Sequence, residues 1–222
     1  IKGTKLGKEE EIEMKFEDNK TVNVDGSFVH NTVPILGGST TIELRRNEMF
    51  SDYGDGISFN SYGYALSLSA PTNIETRWER TIIVEESLYE GPEMMLDIKL
   101  PASYGDTQIK MHNNSIEGDG VRVFMSDPTE NGEDISNYEN GTFYLEISDN
   151  NIRAPDVCVN LKLRSYQDEA DVHIEGNECF TYHADAFSII LYDFDRIVTA
   201  NNEVRSLDDD AFELLLRFLR ET

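Results

Sequence analysis

Short alternations of apolar and polar residues recur along nearly the whole chain. Ile12, Met14 and Phe16 alternate with Glu13 and Lys15, Val22 and Val24 follow after Glu17-Asp18-Asn19, and Val157, Val159, Leu161 and Leu163 alternate with Cys158, Asn160 and Lys162. A period of two marks strands with one dry and one wet face. The run from Phe187 to Leu191 is almost continuously apolar, as in a strand covered on both sides. Turn residues separate these segments, and the first two alternations, closed by Asp25-Gly26, read as a hairpin. The count is about ten to twelve strands at the spacing of a sandwich or barrel.

The period changes at the end of the chain. Leu207, Ala211, Leu214, Leu215, Phe218 and Leu219 recur at intervals of three and four, and Ser206 with Asp209 supplies an acidic capping box. A helix over residues 207–220 is expected. The fold class that follows is all-β or β-dominated α+β: antiparallel sandwich-like or barrel-like sheets with one C-terminal amphipathic helix. No fixed-period repeat is visible. Proline and paired glycine in Val33-Pro34-Ile35-Leu36-Gly37-Gly38 mark a linker. Residues 1–33 are therefore read as a β-hairpin segment, an appendage to a main β-rich domain over residues 34–222.

Composition changes this picture in one respect. At 39% hydrophobic and 10% aromatic residues the chain has material for a core, yet its formal net charge is −24. Residues 1–48 carry nine acids against seven bases, whereas residues 49–222 carry 34 against 12. A field of that sign repels nucleic-acid phosphates and attracts cationic partners. No apolar run reaches the length of a membrane-spanning helix.

Candidate chemistry is sparse. No nucleophile elbow, zinc-protease helix, phosphate-cradling loop or dinucleotide fingerprint is present. Cys158 and Cys179 are read as buried thiols, with one disulfide between them as the alternative, and the compartment stays open with a lean toward the cytoplasm. Together with His173 and His183 they form the one soft-ligand set, at spacings that match no zinc finger or ribbon. Oxygen-rich stretches at Asp52 and Asp55, and at Asp127, Glu130, Glu133 and Asp134, are candidate acidic binding loops, with Ca2+ as the ion they suit. Aromatic residues are dense from Phe50 to Trp78, and Tyr53, Tyr62 and Tyr64 are candidates for stacking on sugars or packing on a protein. Asp193 and Asp195, two apart in an expected strand, are candidate metal ligands with His173 and His183.

Three functional expectations result. The first is a non-enzymatic acidic interaction protein that binds a basic protein partner, as an inhibitor, an immunity or anti-defence factor, or a nucleic-acid mimic. The second is a secreted or virion-surface β module binding carbohydrate or calcium. The third is a metal-dependent hydrolase built on the carboxylates near Asp193. The sequence assigns no catalytic residue and leaves the oligomeric state open.

Overall fold

Two local rules set the path of the chain: strands that alternate in and out, and a two-residue corner that recurs between them. In the computed structural model, which describes residues 11–25, 29–31, 38–53, 57–60, 78–100, 105–125, 141–165, 169–182, 186–206 and 212–217, all regular structure is strand. Sheet A contains β1 (Glu11–Glu17), β4 (Gly38–Arg45), β7 (Trp78–Glu85), β10 (Gly105–His112), β13 (Thr142–Ser148), β16 (Glu169–Glu175) and β19 (Arg196–Ala200). Sheet B contains β2 (Lys20–Asp25), β5 (Glu48–Tyr53), β8 (Leu88–Glu90), β11 (Ser115–Glu117), β14 (Asn151–Ala154), β17 (Glu178–Thr181) and β20 (Glu203–Ser206). Sheet C contains β3 (Val29–Asn31), β6 (Ile57–Asn60), β9 (Leu96–Leu100), β12 (Val121–Met125), β15 (Val159–Arg164), β18 (Phe187–Tyr192) and β21 (Phe212–Arg217).

The chain visits A, B and C in turn, and each strand pairs in parallel with the strand three later. It therefore winds as a three-sided β-helix, one coil per three strands. Each coil stacks its inward residues on those of the next. On sheet A, Ile42, Ile82, Ile109, Leu145 and Val172 form one column in register. Met49, Tyr89, Ile116, Ile152 and Cys179 form the column of sheet B, and Ile98, Val123, Leu161 and Ile189 one of sheet C. All of these side chains are buried in a single core. At about 2 kcal/mol for each Ile, Leu or Val removed from water, these columns are the main source of cohesion.

The corner from sheet A to sheet B explains why the strands do not fold back on one another. Asp18, Arg46, Glu86, Asn113, Asp149 and Asn201 hold left-handed backbones with φ between 51° and 55°, and Gly176 sits at 68° in the same place. The next residue is Asn19, Asn47, Ser87, Asn114, Asn150, Asn177 or Asn202. One left-handed residue turns the chain onto the next face, whereas the reversal of a two-residue hairpin is made by a primed turn of mirror-image geometry. The asparagine side chain then serves the coils on both sides. Asn114 Nδ2 donates to Val84 O at 3.0 Å and to Asn150 Oδ1 at 2.9 Å, and Asn150 Nδ2 donates to Met111 O and Asn177 Oδ1.

The structure corrects the expected fold in three ways. The sheets are parallel, not antiparallel, and Glu11–Glu17 with Lys20–Asp25 is a corner between two sheets instead of a hairpin. Alternation is common to both kinds of sheet, so it could not distinguish them. Within the expected C-terminal helix, Phe212–Arg217 is a strand in register with β18, pairing Phe212 with Phe187, Leu214 with Ile189 and Leu216 with Leu191. A leucine-rich run satisfies periods of two and of 3.6, and the neighbouring strand decides; residues 207–211 and 218–220 lie outside the described residues. Cys158 and Cys179 are joined as a disulfide within the core, which ties the B-to-C corner of one coil to the sheet B strand of the next.

Residues 11–31 form the first coil, with β1, β2 and β3 paired to the second. At the two ends of the stack Met14, Phe16, Ile197 and Val204 are only partly buried. Among the described residues no helix is long and apolar enough to cross a membrane.

Candidate binding groove on sheet B

Outward residues of sheet B fall into rows because the coils are in register. One row reads Phe50, Glu90, Glu117, Arg153, Phe180 and Arg205. Its neighbour reads Glu48, Leu88, Ser115, Asn151, Glu178 and Glu203. Two clefts of about 470 Å³ and 450 Å³ follow the first row, and Arg153 and Tyr182 line both. They form one shallow groove along the helix axis.

The corners shape that groove. Gly91 and Gly118 lie on its wall, and a Cβ at Gly118 would meet Gly91 O at 2.1 Å, at a φ of 143° that side chains rarely adopt. Glycine here lets successive B-to-C corners nest and keeps the rim low. Tyr182, 45% exposed, stands above the groove and meets Phe180 edge-on, with ring centroids 5.0 Å apart. Lys20 Nζ lies 5.2 Å from the Phe50 ring and pairs with Glu48. Arg205 Nε donates to Glu203 Oε1 at 2.8 Å, which together with the charge of Glu203 raises the guanidinium's pKa. The lining thus offers aromatic faces, the carboxylates of Asp52, Glu90, Glu117, Glu178 and Glu203, and the guanidinium groups of Arg153 and Arg205.

Sheet A presents different chemistry. Tyr144 Oη donates to Glu146 Oε2 at 2.9 Å, Ser148 Oγ donates to Glu146 Oε1 at 3.0 Å, and His112 Nδ1 is 3.1 Å from Ser148 Oγ. Burial, followed by the hydrogen bond to Glu146 and its charge, pushes the Tyr144 phenol up to about 12. Burial works to raise the Glu146 carboxyl, but hydrogen bonds from Tyr144 and Ser148, with Lys110 and His112 nearby, hold it below its usual range. Ser148 gives its proton to a carboxylate and is buried, so it is not an activated nucleophile. Tyr144 is a hydrogen-bond donor and not a base.

Asp52 lines the groove, and Tyr53, 72% exposed, ends the same strand. His173 stands on sheet A, 3.9 Å from Asp171 Oδ2 and 5.4 Å between ring centroids from Tyr144. Asp193 and Asp195 lie in the turn between β18 and β19 instead of a strand. Asp193 Oδ2 accepts from Arg164 Nε at 3.4 Å, and Asp195 Oδ2 accepts from the Ala170 amide at 2.9 Å. Asp55, Tyr62, Tyr64, Asp127, Glu130, Glu133, Asp134 and His183 lie outside the described residues. Among the described residues no group of three or more His, Cys, Asp or Glu side chains is placed to hold a metal ion.

Sequence reading did not reach Glu117, Arg153, Phe180 or Tyr182. Glu117, Arg153 and Phe180 lie 36 and 27 residues apart, so only the coil register brings them together, and Tyr182 follows two residues after Phe180. No protein-family model, no curated protein and no solved structure matches the chain.

Proposed function

We propose that the protein is a recognition module whose sheet B groove holds an extended carbohydrate chain along the helix axis. The observation that carries this reading is the unbroken row from Phe50 to Arg205, flanked by Tyr182, across six coils. Parallel strands repeat every ~4.8 Å, close to the length of one pyranose unit in an extended chain, so each coil can meet one sugar. Aromatic faces stack on the apolar faces of sugar rings, while carboxylates and guanidinium groups take paired hydroxyls. Five groove carboxylates against two guanidinium groups select an uncharged or amino-bearing chain over an acidic one.

Tyr182→Ala and Arg153→Ala test the reading, with glycan arrays to find the ligand and calorimetry to measure it. Each substitution should weaken binding at least about tenfold, as for aromatic and arginine anchors generally. Wild-type protein that binds no neutral or amino-bearing glycan would end this proposal.

One observation favours a second reading, a cationic protein partner. The outer face of sheet A carries Glu11, Glu13, Glu17, Glu43, Glu79, Glu85, Asp106, Glu146, Glu169, Asp171 and Glu175 against Lys15, Arg45, Lys110 and Arg196. Such a face speeds encounter with a basic surface and makes it salt-dependent. Association with a basic protein that survives high salt unchanged would count against it.

A further inference from the structure

Sheet C carries the opposite sign. On β9, β12, β15 and β18 the outward charged residues are Asp97, Lys99, Arg122, Lys162 and Arg164. With Asp193 in the turn after β18, four cations face two carboxylates, a net of +2 on a chain of net −24. Asp97 is the most buried of the group. Arg122 reaches it through Nε at 2.7 Å and Nη2 at 2.6 Å, and Lys99 Nζ lies 3.4 Å away. One carboxylate thus serves two cations.

The cations alternate with aromatic rings. Register places Phe124 between Lys99 and Lys162 on three adjacent coils. One step along the strands, Arg164 sits beside Tyr192, and Arg217 occupies the next register position. The guanidinium groups of Arg122 and Arg164 each lie 5.9 Å from a ring centroid, of Phe124 and Tyr192 respectively. Phe124 and Tyr192 are half-buried and Lys162 is exposed.

We propose that this face binds an acidic polysaccharide, a chain of 4-linked uronic acids lying across the coils of sheet C. Two strand spacings separate Lys99 from Lys162, about 9.6 Å. An extended two-fold polyuronate presents carboxylates to one side at every second sugar, so two successive carboxylates meet the two lysines and the intervening ring stacks on Phe124. Arg164 and Tyr192 continue the pattern for a neighbouring stretch. A polynucleotide has the same sign but spaces its phosphates per nucleotide, which does not match a repeat of two coils. This site is independent of the sheet B groove, whose excess of carboxylates repels the same ligand.

Calorimetry with a purified oligomannuronate, a neutral mannan oligosaccharide and a single-stranded oligonucleotide of equal charge tests it. Wild-type protein should bind the oligomannuronate, progressively more weakly as salt rises, and not the neutral chain. Lys99→Glu/Lys162→Glu should weaken binding at least about tenfold by placing like charges against the ligand. Tyr182→Ala on sheet B should leave it unchanged, which separates failure here from failure of the groove reading. If the double variant does not fold, Lys162→Gln, at an exposed position, should lower affinity with the unfolding midpoint intact. No binding by wild-type protein, undiminished binding by the folded lysine variants, or equal binding of the oligonucleotide would overturn the proposal.

Discussion

Asn114 and Asn150 are 36 residues apart in the chain and hydrogen-bonded, Nδ2 to Oδ1, at 2.9 Å. Asn150 Oδ1 also accepts the Asn114 backbone amide at 3.0 Å. One buried amide side chain therefore holds the corner of one coil to that of the next. Asn150→Ala should destabilise the protein by about 3 kcal/mol, because it strips partners from several buried polar groups at once. Asn19→Ala, at the exposed end of the ladder, should cost under about 1 kcal/mol. Denaturant unfolding of the two variants checks the gradient.

Ser87 interrupts that ladder. Its Oγ accepts from the Asn47 amide at 3.1 Å and donates to Glu85 O, and no amide side chain spans this corner to the coil before. Ser87→Asn should restore the missing donor and raise stability by about 1 kcal/mol. A lower unfolding midpoint would mean that the corner lacks the volume for the longer side chain.

Two glycines should behave in opposite ways. Gly120→Ala would place a Cβ 1.9 Å from Cys158 O, a backbone atom, and should abolish folding or cost several kcal/mol (roughly the overpacking range or above it). Gly176→Asn puts a residue tolerant of φ near 68° where the six other corners hold Asp or Asn or a charged residue, and the only close approach to its Cβ is the movable tip of Asp149, at 2.3 Å. It should cost under about 1 kcal/mol. Expression and thermal unfolding distinguish the two outcomes.

The Cys158–Cys179 disulfide closes a separation of 21 residues inside the core. Replacing both cysteines with alanine should cost about 3 kcal/mol through loop entropy, measured by unfolding under matched conditions. In the native state the bond should resist reductant until coils open, since both residues are buried.

Stability should fall in acid for an identifiable reason. Burial favours the neutral form of Asp97, but the Arg122 hydrogen bonds and charge, aided by Lys99, prevail and hold its carboxyl below the usual range. A depressed folded pKa contributes stability that is complete above the unfolded value and is lost as pH falls through the folded one. The loss should begin below about pH 4, and Asp97→Asn should flatten that limb of the stability curve. An unchanged acid limb in the variant would contradict this assignment.

Three-residue strands such as Leu88–Glu90 and Ser115–Glu117 bury one side chain each, which left the expected count at about ten to twelve against the 21 among the described residues. The longer strands were legible, because each alternates its own apolar residues. Their parallel pairing was not, since Glu17-Asp18-Asn19 looks locally like a hairpin turn and only the partner 28 residues later shows it to be a coil corner. Corner spacings of 28, 40, 27, 36, 27 and 25 residues hid the repeat from any search at fixed period. The widest two gaps contain the connections over residues 61–77 and 126–140, which join sheet C back to sheet A. The groove was illegible for the same reason: Asp52 was visible as a candidate, whereas Arg153 and Phe180 become neighbours only through coil register.

The dependence of affinity on chain length tests the groove most directly. Cello- and chito-oligosaccharides of increasing length, titrated by calorimetry, should bind more tightly with each added sugar up to about six units, roughly one per coil from Phe50 to Arg205. Affinity complete at a mono- or disaccharide, or no binding by any length, would contradict a groove that reads an extended chain.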